Sequence, residues 1–237
     1  MDRIWLKNYP PGVPHDVDAD QYQSVAQMLD ESFARHADRP FSVCMDRWLS
    51  YGALDRLSGQ LGAWLQGQGL APGARVAIML PNVPQFAVTM AAVLRAGYTC
   101  VNVNPLYTAR ELEHQLKDSG ATTIVILENF AHTLQEVIGK TPVKTVVLTS
   151  MGDLLGAVYG RWITFAVRHL AKMVPAFELP RDNGRKVVAF NDALAKGHSL
   201  SLKPASSDHD SIAFLQYTGG TTGLAKGAML THRNIIA

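Results

Sequence analysis

Between residues 76 and 149 the chain alternates short, mainly apolar runs, of which 76–80 is fully apolar, with amphipathic stretches, an order that few folds can accommodate. The apolar runs at 76–80, 98–103, 122–127 and 143–149 have strand length, and the stretches at about 84–95, 109–118 and 131–138 have helical spacing. Such strands, apolar on both faces for most of their length, need cover on both sides, which parallel strands joined by helical crossovers supply. The pattern therefore predicts an α/β fold with a wound, largely parallel sheet flanked by helices, its crossovers right-handed. Turn residues fall where this order needs them: Pro81-Asn82 after the first strand, Arg95-Ala96-Gly97 after the first helix and Asn104-Pro105 after the second strand. Thr108 followed by Glu111 is a capping-box pattern. Asn104 and Tyr107 stand near a strand's carboxyl end, where α/β sheets bind ligands, but a structural turn accounts for both.

Upstream, Val25, Met28, Leu29 and Phe33 share a helical face over 23–36, with Ser24 as cap. Two short strands follow at 41–45 and 48–51, turning at Asp46-Arg47. A helix over 53–68 then aligns Leu54, Leu57, Leu61 and Leu65 and stops at Gly69. Residues 76–94 carry no charge, yet Pro81, Asn82 and Pro84 interrupt them, and a spanning helix requires about 20 continuous apolar residues. No sustained apolar core follows Asp2 and Arg3, so the sequence predicts no secretory signal and a cytoplasmic location. A formal net charge of +2 without a long basic run gives no reason to expect nucleic acid. Cys44 and Cys100 lie in apolar runs without metal-ligand spacing and are expected to be reduced thiols. The histidines show no paired-ligand pattern.

Chemistry concentrates in residues 215–227, LQYTGGTTGLAKG. Gly219, Gly220 and Gly223 let the backbone approach a ligand so that successive N–H groups can form an anion-binding nest. Thr218, Thr221 and Thr222 can donate to phosphate oxygens, and Thr221 or Thr222 can sit on a bound Mg²⁺. Lys226 adds a cation on a flexible stem. A strand at 212–217 precedes the loop, a second at 228–230 follows, and Thr231 caps a helix, so the loop should connect two strands. A Walker A loop is excluded, since Ala225 precedes Lys226 and Gly227 follows it. The alternative is a flexible Gly/Thr surface loop; strand, six Gly/Thr residues and lysine in that order favour the phosphate reading.

The run Tyr217-Thr218-Gly219-Gly220-Thr221-Thr222-Gly223-Leu224-Ala225-Lys226-Gly227, with Ala228 and the rest of AMLTHRN behind it, resembles the phosphate loop of the adenylate-forming enzymes, the acyl-CoA synthetase and luciferase family. Its wording is most similar to bacterial long-chain fatty-acid CoA ligases, with glycine in place of the commoner serine at 219 and alanine in place of proline at 225. LAPGARVAI, MLPNVPQF and AGYTCVNVNPLYTARELEHQLKDSGA also resemble that family, so the likeness spans nearly the whole chain and is weakest over 150–205. It implies ATP, Mg²⁺ and coenzyme A, a fatty-acid substrate, and a reaction through an acyl-adenylate. It also implies that the adenine, ribose, acyl-tunnel and catalytic-lysine elements lie downstream of Ala237, so this stretch contains no catalytic residue and is expected to be inactive alone. Two other classes stay open: an acyl-AMP ligase that hands its product to a carrier protein, and a non-catalytic nucleotide or membrane binding module.

Over 154–174, Leu154, Leu155, Val158, Trp162, Ile163, Ala166, Leu170 and Met173 recur at helical spacing, while Arg161, Arg168 and Lys172 fall on one narrow face. A basic amphipathic helix bearing Trp162 predicts peripheral contact with the inner face of a membrane; an ordinary surface helix is the competing expectation. Three segments result: a wound α/β subdomain at 1–150, the basic helix and a connector at 151–198, and a linker, strand, phosphate loop and the start of the next subdomain at 199–237. In the connector a strand is expected at 187–190 and a helix capped by Asn191.

Overall fold

The computed structural model describes residues 2–181, 184–218 and 225–237. Helix α1 (Val25–His36) begins at Ser24, whose hydroxyl accepts from the Gln27 N–H at 3.2 Å. Strands β1 (Pro40–Cys44) and β2 (Arg47–Ser50) form a separate antiparallel pair. Cys44 opposes Arg47, so the turn consists of Met45 and Asp46, one residue earlier than the sequence suggested. Both have positive φ, 47° and 59°, which matches the twist of a two-residue hairpin. Ser50 ends β2 and also caps α2 (Tyr51–Gln66), accepting from Ala53 N–H at 3.1 Å; the helix therefore starts and stops two residues before the predicted 53–68.

The alternating region folds as its pattern requires: β3 (Arg75–Met79), α3 (Pro84–Arg95), β4 (Thr99–Asn102), α4 (Ala109–Ser119), β5 (Thr123–Leu127), α5 (Ala131–Val137) and β6 (Thr145–Thr149). Thr108 and Glu111 make the expected capping box at the start of α4. After α6 (Ala157–Phe165) come β7 (Lys186–Ala189), α7 (Phe190–Gly197), β8 (Ile212–Thr218), β9 (Lys226–Thr231) and α8 (His232–Ile236). Ala189, not Asn191, precedes the first turn of α7; Asn191 lies inside it and donates to Asp153 Oδ1 at 3.0 Å.

The main sheet runs β7-β6-β5-β3-β4-β8-β9, parallel throughout until β9 returns antiparallel beside β8. Thus strands from all three stretches of sequence enter one sheet. The pleat sends Val76 and Ile78 of β3 to one core, with Phe33, Leu61, Val88 and Phe190, and Ala77 and Met79 to the other, with Leu112, Leu116 and Leu134. Each such fully buried large aliphatic side chain contributes about 1.5–3 kcal/mol. Arg95, at the end of α3, ties the helices of the first layer together. Its Nη2 donates to Asp55 Oδ1 and its Nη1 to Ser58 Oγ, both at 2.7 Å, and its guanidinium lies over the Phe33 ring. Its Nε stands 2.7 Å from Asp30 Oδ1 but off the N–H axis, so that contact is ionic without being a hydrogen bond.

The largest departure from expectation is over 154–174. Leu154 and Gly156 take positive φ, 65° and 93°, so the helix starts only at Ala157; a π-helical turn follows at Ala166–Leu170, and Lys172 has φ 53° beyond it. Arg161, Arg168 and Lys172 consequently do not share one regular α-helix. Arg168 is used internally, its Nε 2.9 Å and its Nη2 2.6 Å from Oε2 of Glu128, a carboxylate only 3% exposed. Gly160 and Thr164 face the body of the protein: a Cβ on Gly160 would stand 2.2 Å from the Gly152 carbonyl oxygen, and Thr164 Oγ1 lies 3.1 Å from Ser150 Oγ. With small residues turned inward, the apolar ones turn out, and Val158, Trp162, Phe165, Leu170 and Met173 are all exposed.

Candidate functional site

β4 hands the chain to α4 and back across β3 to β5, whereas its neighbour β8 turns outward to β9. The two connections diverge, and such a divergence opens a crevice at the carboxyl ends of the strands. A cavity of about 230 Å³ lies there, walled by Phe86, Asn102, Asn104, Tyr107, Gln216 and Tyr217 among others. Asn104 and Tyr107, assigned above to a turn, therefore line this crevice, while Asn104 Oδ1 also accepts from Leu106 N–H at 3.0 Å. Asn102 Nδ2 donates to Gln216 Oε1 at 3.0 Å, bridging β4 and β8, and Gln115 of α4 donates to the Asn102 carbonyl at 2.7 Å. Asn102 Oδ1 has no partner among the described residues.

The glycine-rich loop springs from the same edge. Gly219, Gly220, Thr221, Thr222, Gly223 and Leu224, and with them the Mg²⁺ assignment to Thr221 or Thr222, lie outside the described residues. Its two stems are described. In the β8–β9 register Thr218 opposes Lys226, Tyr217 opposes Gly227 and Gln216 opposes Ala228, so the loop connects antiparallel strands as the sequence indicated. Thr218 and Lys226 are both exposed, and Lys226 has no ion pair among the described residues. A hydroxyl and an ammonium thus face each other at the base of the loop, a polar pair suited to phosphate oxygens.

Sequence reasoning missed what holds these stems. Tyr217 is buried, and its hydroxyl donates to Asp118 Oδ2 of α4 at 2.5 Å. Burial first, and then the Asp118 carboxylate, push the Tyr217 phenol well above its ordinary range, so it remains a donor at neutral pH. One helical turn earlier, His114 Nε2 lies 3.0 Å from the Ala225 carbonyl oxygen. A Cβ on Gly227 would stand 3.0 Å from the Tyr217 ring, so glycine there lets the ring cross beneath the strand. Only the four-residue spacing of His114 and Asp118 hinted that both face the same way.

A parallel α/β sheet with a Gly/Thr/Lys loop at a divergent strand pair defines a class, and the sequence model described as AMP-binding enzyme matches residues 29–237. The chain belongs to that family. It is 48% identical over 239 residues to the long-chain-fatty-acid–CoA ligase of Escherichia coli O157:H7, covering 100% of this chain and 42% of that protein. The long-chain-fatty-acid–CoA ligase of Bacillus subtilis (strain 168) is 34% identical over 235 residues, covering 98% of this chain and 40% of that protein. The chain therefore spans under half the length of these relatives. Among solved structures, a long-chain-fatty-acid-CoA ligase from Archaeoglobus fulgidus shares the fold at a TM-score of 0.69, with 23% identity over 96% of this chain and 40% of that one.

Proposed function

We propose that this chain is the amino-terminal part of a long-chain fatty-acid CoA ligase, in which ATP and a fatty acid give an acyl-adenylate and pyrophosphate, and coenzyme A then takes the acyl group. The observation that carries this reading is the exposed Thr218–Lys226 pair at the base of a Gly/Thr loop, set beside the crevice between β4 and β8. Attack of a carboxylate on a polyphosphate is opposed by charge repulsion, so donors fixed around the terminal phosphates lower the barrier and assist departure of pyrophosphate. Lys226 supplies a full charge and Thr218 a hydroxyl, while the loop they subtend contributes its main-chain N–H groups. Tyr217, Gly219, Gly220, Thr221, Thr222, Gly223, Leu224, Ala225, Gly227 and Ala228 complete the proposed nucleotide contact.

Among the described residues no group of three His, Cys, Asp or Glu side chains could hold a metal ion. Mg²⁺ in this reading arrives on the nucleotide phosphates, which suits an ion that keeps most of its water and takes few protein ligands. Lys226→Ala should weaken MgATP binding roughly tenfold and leave the fatty-acid KM unchanged, in a ligase of the relatives' full length that carries this chain. Fatty-acid-dependent exchange of pyrophosphate into ATP is expected of that full-length protein and not of the 237-residue chain. Exchange catalysed by the 237-residue chain would overturn the assignment of the remaining machinery to downstream sequence. Product formation that needs a carrier protein and ignores coenzyme A would favour the acyl-AMP ligase reading.

Among the described residues no helix is long and apolar enough to cross a membrane. We propose instead that α6 makes peripheral contact with the inner face of the membrane. Val158, Trp162 and Phe165 occupy one helical face with exposures of 85%, 56% and 47%, and Arg161 and Lys172 remain free of ion pairs among the described residues. Apolar insertion now carries the proposal more than charge does, because Arg168 is tied to Glu128. Flotation with anionic vesicles should fall severalfold in Trp162→Ala/Phe165→Ala, and undiminished flotation would remove the proposal.

A further inference from the structure

We infer that α4 is a brace for the phosphate loop, with His114 and Asp118 as positioning residues that fix the spacing of its two stems. This rests on the reading of the loop as a triphosphate cradle. Asp118 accepts from the Tyr217 hydroxyl on the outgoing stem at 2.5 Å, and His114 meets the Ala225 carbonyl on the returning stem at 3.0 Å. The two helix residues are four apart, so they stand one above the other on one face. Tyr217 and Gly227 are register partners, and the ring passes against the glycine. Each stem is therefore held one residue before the exposed group it presents: Tyr217 before Thr218, Ala225 before Lys226.

The chemistry of the His114 contact fixes its proton. A carbonyl oxygen can only accept, so Nε2 carries hydrogen. At the other attachment the Tyr217 phenol, raised by burial and then by Asp118, stays a donor near neutrality. α4 is in turn anchored by Leu112 and Leu116, both fully buried in the second core, and by the bond from Gln115 to the β4 backbone. Few degrees of freedom separate the sheet from the loop base.

Preorganised donors matter most for the charge that a nucleoside triphosphate has and a monophosphate lacks. His114→Ala should raise the MgATP dissociation constant about fivefold, the range expected for losing one hydrogen bond that orients a site, while AMP binding changes less than about twofold. His114→Gln, whose carboxamide can donate to the same carbonyl, should recover most of the loss. Asp118→Ala removes the acceptor of the second attachment and should reproduce the selective loss even if His114→Ala folds poorly. The measurements are equilibrium binding of MgATP and AMP in a ligase of the relatives' full length carrying this chain. Equal weakening of ATP and AMP, or no rescue by glutamine, would overturn the brace and leave the loop reading intact. Failure of the parent protein to bind MgATP would overturn the loop reading and the brace together.

Discussion

Removing Arg168 should destabilise the protein more than removing its partner Glu128, because the two sit in different surroundings. The Glu128 side chain is 3% exposed, whereas Arg168 is 47% exposed and reaches the carboxylate with two nitrogens. In Arg168→Ala the buried carboxylate is left without a cation, with Asp153 as a second acid nearby. Breaking a fully buried pair from one side costs about 3–5 kcal/mol; discounting for the solvated guanidinium gives roughly 2–4 kcal/mol here. In Glu128→Ala the guanidinium turns to water, and the cost falls to about 1–2 kcal/mol, mostly lost packing. Urea unfolding at pH 7.5, with midpoints compared at constant m, measures both. Equal losses in the two variants would refute this account of how α6 is fastened.

Arg95→Ala should cost about 2–3 kcal/mol, since it removes contacts to Asp30, Asp55, Ser58 and Phe33 at once, and Arg95→Lys should recover only part of this because an ammonium cannot reproduce the fork. Gly160→Ala should cost about 2 kcal/mol or more by thermal unfolding, because its Cβ would meet the Gly152 carbonyl oxygen at 2.2 Å, and a backbone atom cannot step aside cheaply. His232 is buried with Nδ1 accepting from the Val25 N–H, and burial, with His209 adding to it and Asp208 opposing it, lowers its pKa from the ordinary 6.5. The unfolded chain then takes up the proton first, so this contribution to stability is full above about pH 6.5 and declines as pH falls toward the folded-state value. Denaturant midpoints between pH 7.5 and 5 should show that slope, and His232→Asn, which keeps an acceptor but does not titrate, should flatten it.

Only part of the candidate site was legible in the sequence. That a Gly/Thr/Lys loop joins two strands was legible, because apolar runs, a capping threonine and glycines are written in consecutive residues. Thr231 caps α8 as read, accepting from the Asn234 N–H at 3.3 Å. His114 and Asp118 were not legible, since they act across 111 and 99 residues of chain on Ala225 and Tyr217. Asn104 and Tyr107 were visible as turn residues, but their place in the wall of the crevice depends on β8 lying beside β4.

From the sequence alone follow the alternation of strands and helices, their caps at Ser24, Thr108 and Thr231, and the two-sided burial of β3 and β5. These depend on spacings of two to four residues, and a spacing survives whatever the rest of the chain does. Tertiary structure alone decided the strand order, the braced stems of the loop and the outward apolar face of α6. Helical periodicity states that a face is apolar, and it carries no information on whether another element will cover it. At α6 the approach of Gly160 to Gly152 and the pull of Glu128 on Arg168 settled that question by turning the small side inward.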